Sequence, residues 1–207
     1  MRKPDETGRS NQRRRTRKEL LAASARLLKQ GITPDMEQVA KEAMISRATA
    51  YRYFPSIEAL LVEAPLDRAM PEPDDLFAAE TSKDPLARID MAEGVLHELT
   101  YRNEAQLRVM LAASLERRVD GSTNNRVPVR QNRRTALIEA ALAPARDRFT
   151  PTVYKRLTSA LALILGTESM IVFRDVLPLD EKTARRVKSW AVRALVTAAL
   201  QESSESR

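Results

Sequence analysis

The sequence predicts an all-α protein, and three features of its 207 residues support this. Glycine is rare, with five residues in the whole chain. No stretch alternates polar and apolar residues with the period of two that indicates a half-buried strand. Apolar residues instead recur three and four positions apart, which is the spacing of one face of an α-helix. Start and stop signals along the chain predict about nine helices, three in an N-terminal domain and the rest in a larger C-terminal domain.

The first helix is predicted to begin at Thr16 and to end at Gly31. Thr16 and Glu19 have the Thr-x-x-Glu spacing of a capping box, in which each side chain bonds a free backbone N–H. Glycine ends a helix readily because it adopts the left-handed conformation at low cost. Residues 1–15 are polar and basic and cannot bury a core, so we expect a disordered arm.

Two short helices are predicted to follow, joined by a tight turn. Asp35 is the expected cap of the first of them, with Gln38 three residues further on. Met44 and Ile45 form the turn, and Ser46 caps the next helix. Two short helices separated by a turn of about three to four residues are typical of a helix-turn-helix, whose second helix enters the major groove of DNA.

The helix after Ser46 carries side chains suited to duplex DNA. Arg47 and Thr49 can reach base edges, since arginine matches guanine and threonine can bond a base or contact a thymine methyl. Tyr51 and Arg52 are better placed for phosphates, and Ala48 and Ala50 are expected to keep part of the surface low so that the backbone can approach closely. A plain helical hairpin with solvated arginines is the alternative interpretation. The predicted DNA-binding residues are Arg14, Arg15, Arg17, Ser46, Arg47, Ala48, Thr49, Tyr51, Arg52 and Tyr53.

The excess positive charge lies at the N-terminal end. Residues 1–55 contain 13 basic and 6 acidic side chains, a net charge of +7. This leaves 22 of the 35 basic and 22 of the 28 acidic side chains, a net charge of zero, for the rest of the chain. Such a distribution favours nucleic-acid binding, because neutralising phosphates releases counterions.

The residues from Leu20 to Leu61 also resemble a known family. The most specific part is Tyr51-x-Tyr53-Phe54 followed by Ser56-x-Glu58-x-Leu60. The other matching residues are Ala22, Ala23, Leu27, Leu28, Gly31, Val39, Ala40, Glu42, Ala43, Ile45, Ser46, Thr49, Pro55 and Ala59. This segment, about a fifth of the chain, is similar to the N-terminal domain of TetR-family transcriptional repressors. The resemblance implies that the third helix enters the major groove and that the C-terminal helices bind an inducer and dimerise.

Two positions depart from the pattern of that family. Ile57 stands where the family usually has a lysine that contacts a phosphate, so this contact is in question. Met44 stands where the family usually has glycine, which predicts a positive φ angle and strain of about 1–2 kcal/mol at Met44. The alternative is that the turn is rebuilt and that the Met44 side chain packs on the core.

Residues 16–55 are the predicted DNA-binding domain, residues 56–202 the ligand-binding and dimerisation domain, and residues 203–207 a frayed tail. The helix from Thr150 to about Asp175 has apolar residues all round, which predicts burial on all sides. The last two helices are expected to pair with those of a second copy in a four-helix bundle. The predicted interface residues are Leu157, Leu161, Ile164, Val187, Trp190, Ala191, Ala194, Leu195 and Ala198.

Glu168 falls in the middle of an apolar line on the predicted long helix. An unpaired buried carboxylate is unfavourable, so Glu168 needs a partner or a proton. It is either paired with an arginine or Trp190 for structural reasons, or it anchors a cationic or hydrogen-bond-donating inducer. The predicted ligand-pocket residues are Leu96, His97, Met110, Leu137 and Glu168, although an ordinary flank position is the alternative for His97.

Catalytic and metal chemistry has little support in this sequence. There is no cysteine and only one histidine, and the scattered glycines form no phosphate-binding loop, so we expect no enzyme activity, cofactor or metal. No apolar run is long enough to span a bilayer, and we expect a cytoplasmic, nucleoid-associated protein. The favoured function is a homodimeric transcriptional repressor that leaves a palindromic double-stranded DNA operator when a small-molecule inducer binds. The alternative is a helical protein–protein adaptor without specific DNA binding.

Overall fold

The structure, a computed structural model, describes residues 6–119 and 132–205. These residues form helices joined by turns and short loops, and no strand occurs among them. The chain divides into two compact units, Met1–Ala69 and Met70–Arg207, which we call the head and the body. The all-α prediction is therefore confirmed, with the boundary between the units after the fourth helix and not after Pro55.

The head contains helices α1 (Glu6–Lys29), α2 (Met36–Glu42), α3 (Arg47–Tyr53) and α4 (Ile57–Ala69). Helix α1 packs along α4 and α2, and α2 packs against α3. Their apolar faces enclose one core, because the residues at helical spacing point inward together. The core residues are Leu20, Leu21, Ala23, Leu27, Met36, Val39, Ala40, Ala43, Ala50, Phe54, Leu60 and Ala64.

Helix α1 begins well before the predicted start. Thr16 lies inside the helix, where its Oγ1 donates to the carbonyl of Gln12 at 3.1 Å, so it does not cap a helix start. Between Arg9 and Lys29 the chain has no glycine or proline and is rich in arginine, leucine and alanine, which are good helix formers. The helix therefore includes residues 6–15 of the expected disordered arm; residues 1–5 lie outside the described residues.

The body contains α5 (Pro73–Leu76), α6 (Pro85–Arg102), α7 (Glu104–Val119), α8 (Arg133–Leu142), α9 (Pro151–Ile164), α10 (Thr167–Ile171) and α11 (Glu181–Glu205). A 3-10 segment, Ala143–Arg148, follows α8, and a π-helical turn, Val172–Val176, follows α10. Helix α6 packs against α8 and α11, and α9 packs against the same two helices. The core residues include Ile89, Ala92, Leu96, Leu137, Ile138, Leu142, Phe149, Val153, Leu157, Leu161, Leu165, Val192 and Val196.

The single long helix predicted from Thr150 to Asp175 is broken at Gly166. The Arg134 guanidinium donates to the carbonyls of Ala162 at 2.8 Å and Leu165 at 3.4 Å, so it takes the place of the next helical turn. A Cβ atom on Gly166 would lie 2.0 Å from Arg134 Nη1, which explains why glycine suits this position. Helix α9 and the segment Thr167–Val176 are bent by 44° at this break.

Within the part of the chain that the structure describes, no single helix is long and apolar enough to cross a membrane. Only α9 taken together with the bent segment Thr167–Val176 reaches that length and composition.

The C-terminal residues of α11 are held against the body, in contrast to the frayed tail predicted from residue 203. Ser203 is fully buried, and its Oγ accepts a hydrogen bond from the backbone N–H of Thr150 at 3.3 Å. The helix ends at Glu205, and residues 206–207 lie outside the described residues. Helix α8 begins at Arg133 and is capped by Asn132.

Candidate nucleic-acid interface

Both helices of the helix-turn-helix begin at the predicted caps. The Asp35 carboxylate accepts from the backbone N–H of Gln38 at 2.8 Å, and the Gln38 side chain accepts from the N–H of Asp35 at 2.9 Å. The Ser46 hydroxyl accepts from the backbone N–H of Thr49 at 3.1 Å. These bonds satisfy N–H groups that lack partners in the first turn of a helix, so α2 and α3 start where the sequence predicts.

The turn between α2 and α3 contains a strained residue. Met44 has a φ of 54°, and its N–H donates to the Lys41 carbonyl while that of Ile45 donates to the Ala40 carbonyl. This is the Schellman pattern, which requires a left-handed residue and usually has glycine there. The Met44 side chain is 93% exposed, so the alternative of a rebuilt turn packed on the core is wrong.

The outer face of α3 is formed by Arg47, Ala48, Tyr51 and Arg52, which are all exposed. Ala50 was expected on this face with Ala48, but it points the other way and is fully buried in the head core. These exposed positions recur with the period of a helix, so arginine and tyrosine side chains share one side with the small Ala48. Such a face combines close backbone approach with groups that reach base edges and phosphates.

Arg47 is held only loosely by its neighbours. Its guanidinium lies 5.6 Å from the centre of the Tyr51 ring, and Nη1 is 3.7 Å from the Glu37 carboxylate. Both Arg47 and Glu37 are largely exposed, and a surface ion pair at this distance contributes little to stability.

Thr49 is half-buried, and its Oγ1 accepts a hydrogen bond from the Ser46 hydroxyl at 2.9 Å while keeping its own proton for donation.

Arg17 was predicted to bind DNA, but the structure gives it a different position. Its Nε donates to the Glu63 carboxylate at 3.2 Å, Nη2 donates to the second oxygen of the same group, and Nη1 donates to the Tyr53 carbonyl at 2.8 Å. The guanidinium also lies 4.1 Å from the centre of the Phe54 ring. Only 16% of the Arg17 side chain is exposed, so it fastens α1 to α4 and to the end of α3.

The remaining predicted contacts divide into exposed and packed residues. Arg14 and Arg15 are exposed on α1 and stay predicted DNA contacts. Tyr53 and Ile57 are half-buried and pack against the head core, so Ile57 has a packing role where the family usually has lysine. The buried carboxylate of Glu63, on an otherwise apolar side of α4, is the signal in the sequence that indicates a buried cation.

Residues 20–64 match the family model described as "Bacterial regulatory proteins, tetR family". The head is therefore similar to the DNA-binding domain of TetR-family regulators. The matched residues form most of the head, including the complete helix-turn-helix, and they support a DNA-binding transcriptional regulator. Neither the search of curated proteins nor the search of solved structures returned a match to this chain.

In the body, the predicted ligand-pocket residues are not gathered in one cavity. Leu96 and Leu137 are buried in the body core, and Met110 is half-buried on α7. Glu168 lies in the first turn of α10, where it accepts from Arg134 Nη1 at 3.0 Å and its side chain is 40% exposed. The break at Gly166 takes Glu168 out of the apolar line of α9, so it is not a buried carboxylate, and its partner is an arginine.

Part of the predicted dimer interface is buried inside the protomer. Leu157 and Leu161 are 3% and 0% exposed, and Ile164 is half-buried against the body core, so α9 turns these residues inward. Leu163, which was not predicted, is 71% exposed on α9. On α11, Trp190 is 72% and Val187 is 42% exposed. Ala194 and Ala198 are also exposed, and Ala191 and Leu195 are half-buried.

Proposed function

We propose that this protein is a homodimeric TetR-family repressor that binds a palindromic operator and leaves it when a small molecule binds the body. The observation that carries the proposal is the outer face of α3, where Arg47, Tyr51 and Arg52 are exposed and lie on one side. The helix-turn-helix supports insertion of α3 into the major groove. The concentration of the net positive charge in residues 1–55 supports binding to the phosphates on either side.

The proposed contacts fall into two classes. Arg47 and Thr49 lie in the first turn of α3, from which a recognition helix contacts bases, and we assign them to base contacts. Arg14 and Arg15 on α1, with Arg52 at the end of α3, are assigned to phosphates. Base contacts give sequence specificity, whereas phosphate contacts contribute to binding of all duplex DNA.

The exposed apolar residues of α9 and α11 support a dimer. Leu163 and Trp190 are each more than two-thirds exposed, and large apolar side chains of this kind usually mark an interaction surface when they occur together. The small side chains of Ala191, Ala194 and Ala198 on α11 would allow a second copy of the helix to approach closely. A twofold dimer presents two α3 helices and therefore requires an inverted repeat, with half-sites about 34–36 Å apart or a multiple of it.

Release by a ligand requires that the ligand favours one spacing of the two heads in the dimer over another. Operator binding and ligand binding then weaken each other by the same factor, which is typically about 5–150-fold. The experiment that tests the proposal is selection of bound sequences from a random duplex pool. We expect an inverted repeat, and loss of specific but not general DNA affinity in Arg47→Ala and Thr49→Ala. Recovery of no common sequence would contradict the proposal and favour the adaptor function.

The dimer is tested separately by Trp190→Asp, which places a charge on the exposed face of α11. We expect a monomer in sedimentation velocity and weak operator binding, because the two half-sites no longer bind together. The matched control is Arg193→Gln on the same helix, where the guanidinium pairs with Asp90. A Trp190→Asp protein that stays dimeric would show that the interface lies elsewhere.

A further inference from the structure

A cluster of buried polar side chains joins α6 and α11 in the body. Glu93 and His97 on α6 are each 2% exposed, and Lys188 on α11 is 4% exposed. Lys188 Nζ lies 2.8 Å from His97 Nδ1 and 3.3 Å from a Glu93 carboxylate oxygen. Buried charges are normally found paired, and Glu93 with Lys188 forms such a pair. His97 is the third member, and its hydrogen bonds determine what the cluster can bind.

The contact with Lys188 determines the tautomer of His97. A lysine ammonium has three hydrogens to donate and no acceptor, so Nδ1 of His97 must accept at 2.8 Å. The ring proton then lies on Nε2. Burial, together with the nearby charges of Lys188, Arg185 and Arg174, lowers the pKa of His97 to about 4, so the ring is neutral near pH 7.

The Nε2–H of His97 has no hydrogen-bond partner among the described residues. The closest carboxylate oxygen, from Glu181, is 3.6 Å away, which is beyond hydrogen-bond distance. The Tyr101 ring stacks on His97 with 4.4 Å between ring centres, and its buried hydroxyl also lacks a partner. A buried donor without an acceptor costs about 1–3 kcal/mol, so the Nε2–H of His97 favours a bound acceptor.

His97 lines an open groove of about 620 Å³. The other lining residues are Glu181, Lys182, Arg185, Arg186 and Ser189. Around the groove, three basic side chains therefore lie opposite one carboxylate. The charges of Glu93 and Lys188, which lie beneath the groove, cancel each other. A ligand group that accepts from His97 in these surroundings is favoured when it carries negative charge. The Glu181 carboxylate close to Nε2 disfavours a dianion, so a single negative charge fits best.

We propose that this groove binds a small monocarboxylate, with one carboxylate oxygen accepting from Nε2–H of His97 and with Arg185 opposing its charge. The proposal rests on the ligand-responsive function proposed above and specifies the chemical class of the inducer. Arg185 also lies 3.7 Å from Glu93, so it stands between the buried pair and the groove. A bound carboxylate would satisfy the histidine donor that the protein leaves without a partner.

Because the groove lies on α11, ligand binding can affect the proposed dimer interface on the same helix. Arg185 and Lys188 alternate along this helix with Val187 and Trp190, which are on the exposed face. A ligand held by Arg185 therefore acts on the same helical turns that carry the proposed interface. A small rotation or shift of α11 would change the packing against a second copy, and interfaces of this kind respond to such shifts.

The experiment uses the whole 207-residue chain with ¹⁵N-labelled histidine, because the chain has one histidine. Benzoate is the probe, with inorganic phosphate and chloride compared at constant ionic strength. We expect the free protein to show the Nε2–H tautomer, and benzoate to shift the Nε2 resonance saturably and to raise the pKa of His97. Phosphate is expected to bind more weakly, because it adds a second charge next to Glu181.

Variants separate the site from general charge effects. Fluorescence of the single tryptophan, Trp190 on α11, follows benzoate binding in each protein. Arg185→Gln and His97→Phe should each weaken benzoate binding about 10- to 100-fold, the range expected for loss of a hydrogen bond to a charged group. Arg193→Gln, the matched control further along the same helix, should bind benzoate as the unmodified protein does.

Three results would overturn the site: an Nδ1–H tautomer, no saturable shift with benzoate, or equal benzoate affinity in Arg185→Gln. Tighter binding of phosphate than of benzoate would overturn the monocarboxylate class. Operator binding is measured in the same samples. Benzoate binding with unchanged operator affinity would support the site and overturn its coupling to DNA. Benzoate binding by a protein that selects no DNA sequence would support the site while contradicting the proposed repressor function.

Discussion

The head and the body each contain a buried ion pair between helices that are far apart in the sequence. The two pairs differ in how completely their hydrogen-bonding groups are satisfied. In the head, the guanidinium of Arg17 has acceptors from Glu63 and Tyr53 and an aromatic ring beside it. In the body, Lys188 pairs with Glu93, but the Nε2 of the adjoining His97 lacks a hydrogen-bond partner. The head pair borders packed helices, and the body pair borders a groove.

The difference indicates different roles for the two pairs. A buried polar network with every member bonded makes a structure rigid, whereas one with unsatisfied members carries a cost that requires an explanation. Nothing in the Arg17 contacts calls for an additional partner, so its role is structural. The unsatisfied donor of His97, next to basic residues and an open groove, fits a site that is completed by a ligand.

The largest expected effect comes from breaking the satisfied pair with Arg17→Met. Only 5% of the Glu63 side chain is exposed, so the variant removes the guanidinium that pairs with a buried carboxylate. Loss of one partner of a buried pair typically costs about 3–5 kcal/mol. We expect a loss of this size in urea denaturation of the head, and loss of operator binding through unfolding.

The double variant Arg17→Met/Glu63→Leu tests whether Arg17 also contacts DNA. Replacing both charges with apolar groups should restore much of the stability, because no charge is left buried alone. If operator binding returns with the fold, Arg17 is structural; if stability returns and binding does not, Arg17 contacts DNA after all. Arg14→Ala is the control on the same helix, and it should weaken DNA binding without loss of stability.

The next effect concerns the body pair and depends on pH. The pKa of His97 is lowered to about 4 from an ordinary 6.5, so between these values the unfolded chain binds a proton that the folded protein does not. The contribution of His97 to the free energy of unfolding is fully present above pH 6.5, falls as the pH is lowered, and levels off below pH 4. The lost stability is about 3 kcal/mol. The charged and titratable groups facing His97 are Glu93, Tyr101, Arg174, Glu181, Arg185 and Lys188.

The measurement compares the unmodified protein with His97→Phe, which keeps a ring next to Tyr101 but cannot titrate. Carboxylates change the stability of both proteins in the same pH range, so the difference between the two curves isolates the histidine. We expect this difference to shrink as the pH falls from 6.5 to 4, because only the unmodified protein loses the histidine contribution. Parallel curves would mean that His97 is not held in its neutral form by the fold.

The comparison between the head and the body also explains which features of the structure could be predicted from the sequence. The caps at Asp35, Ser46 and Gly31 and the apolar lines of α1 and α2 are local signals, and the head follows them closely. The ion pairs join residues that are 46 and 95 positions apart in the sequence, and no local pattern connects them. Arg17 therefore looked like one more basic residue of the DNA-binding end.

The body was predicted less well for a related reason. An apolar helix shows which residues are buried but not whether the protomer or a second copy covers them, and so Leu157 and Leu161 were assigned to the dimer. The break at Gly166 depends on the Arg134 side chain from another helix. His97 was identified as a candidate by its rarity alone, and its hydrogen bond to Lys188 is visible only in the structure.

A smaller effect on the stability of the head is expected from backbone strain at Met44, and not from the Arg17–Glu63 ion pair. Met44 and Gly31 are in the same Schellman geometry, with φ of 54° and 79°. Met44→Gly should raise the stability of the head by about 1–2 kcal/mol, because the left-handed conformation costs a residue with a Cβ atom that amount. The exposed side chain contributes no buried area that the change would remove. Thermal unfolding measures this gain, and a clear loss of stability would show that the turn is not strained.

The smallest effect is expected at the third pair, between Arg134 and Glu168, which is satisfied but partly exposed. Glu168→Gln should cost less than about 1 kcal/mol, the usual contribution of an exposed pair. Arg134→Met should cost more, because its guanidinium also bonds the carbonyls of Ala162 and Leu165 at the end of α9. Chemical denaturation measures both losses of stability. A larger loss in Arg134→Met than in Glu168→Gln would show that the arginine makes the main contribution, with Glu168 as its partner. If Glu168→Gln instead abolishes the response to an inducer while the fold and operator binding are kept, the carboxylate binds the ligand and the groove at His97 is not the whole site.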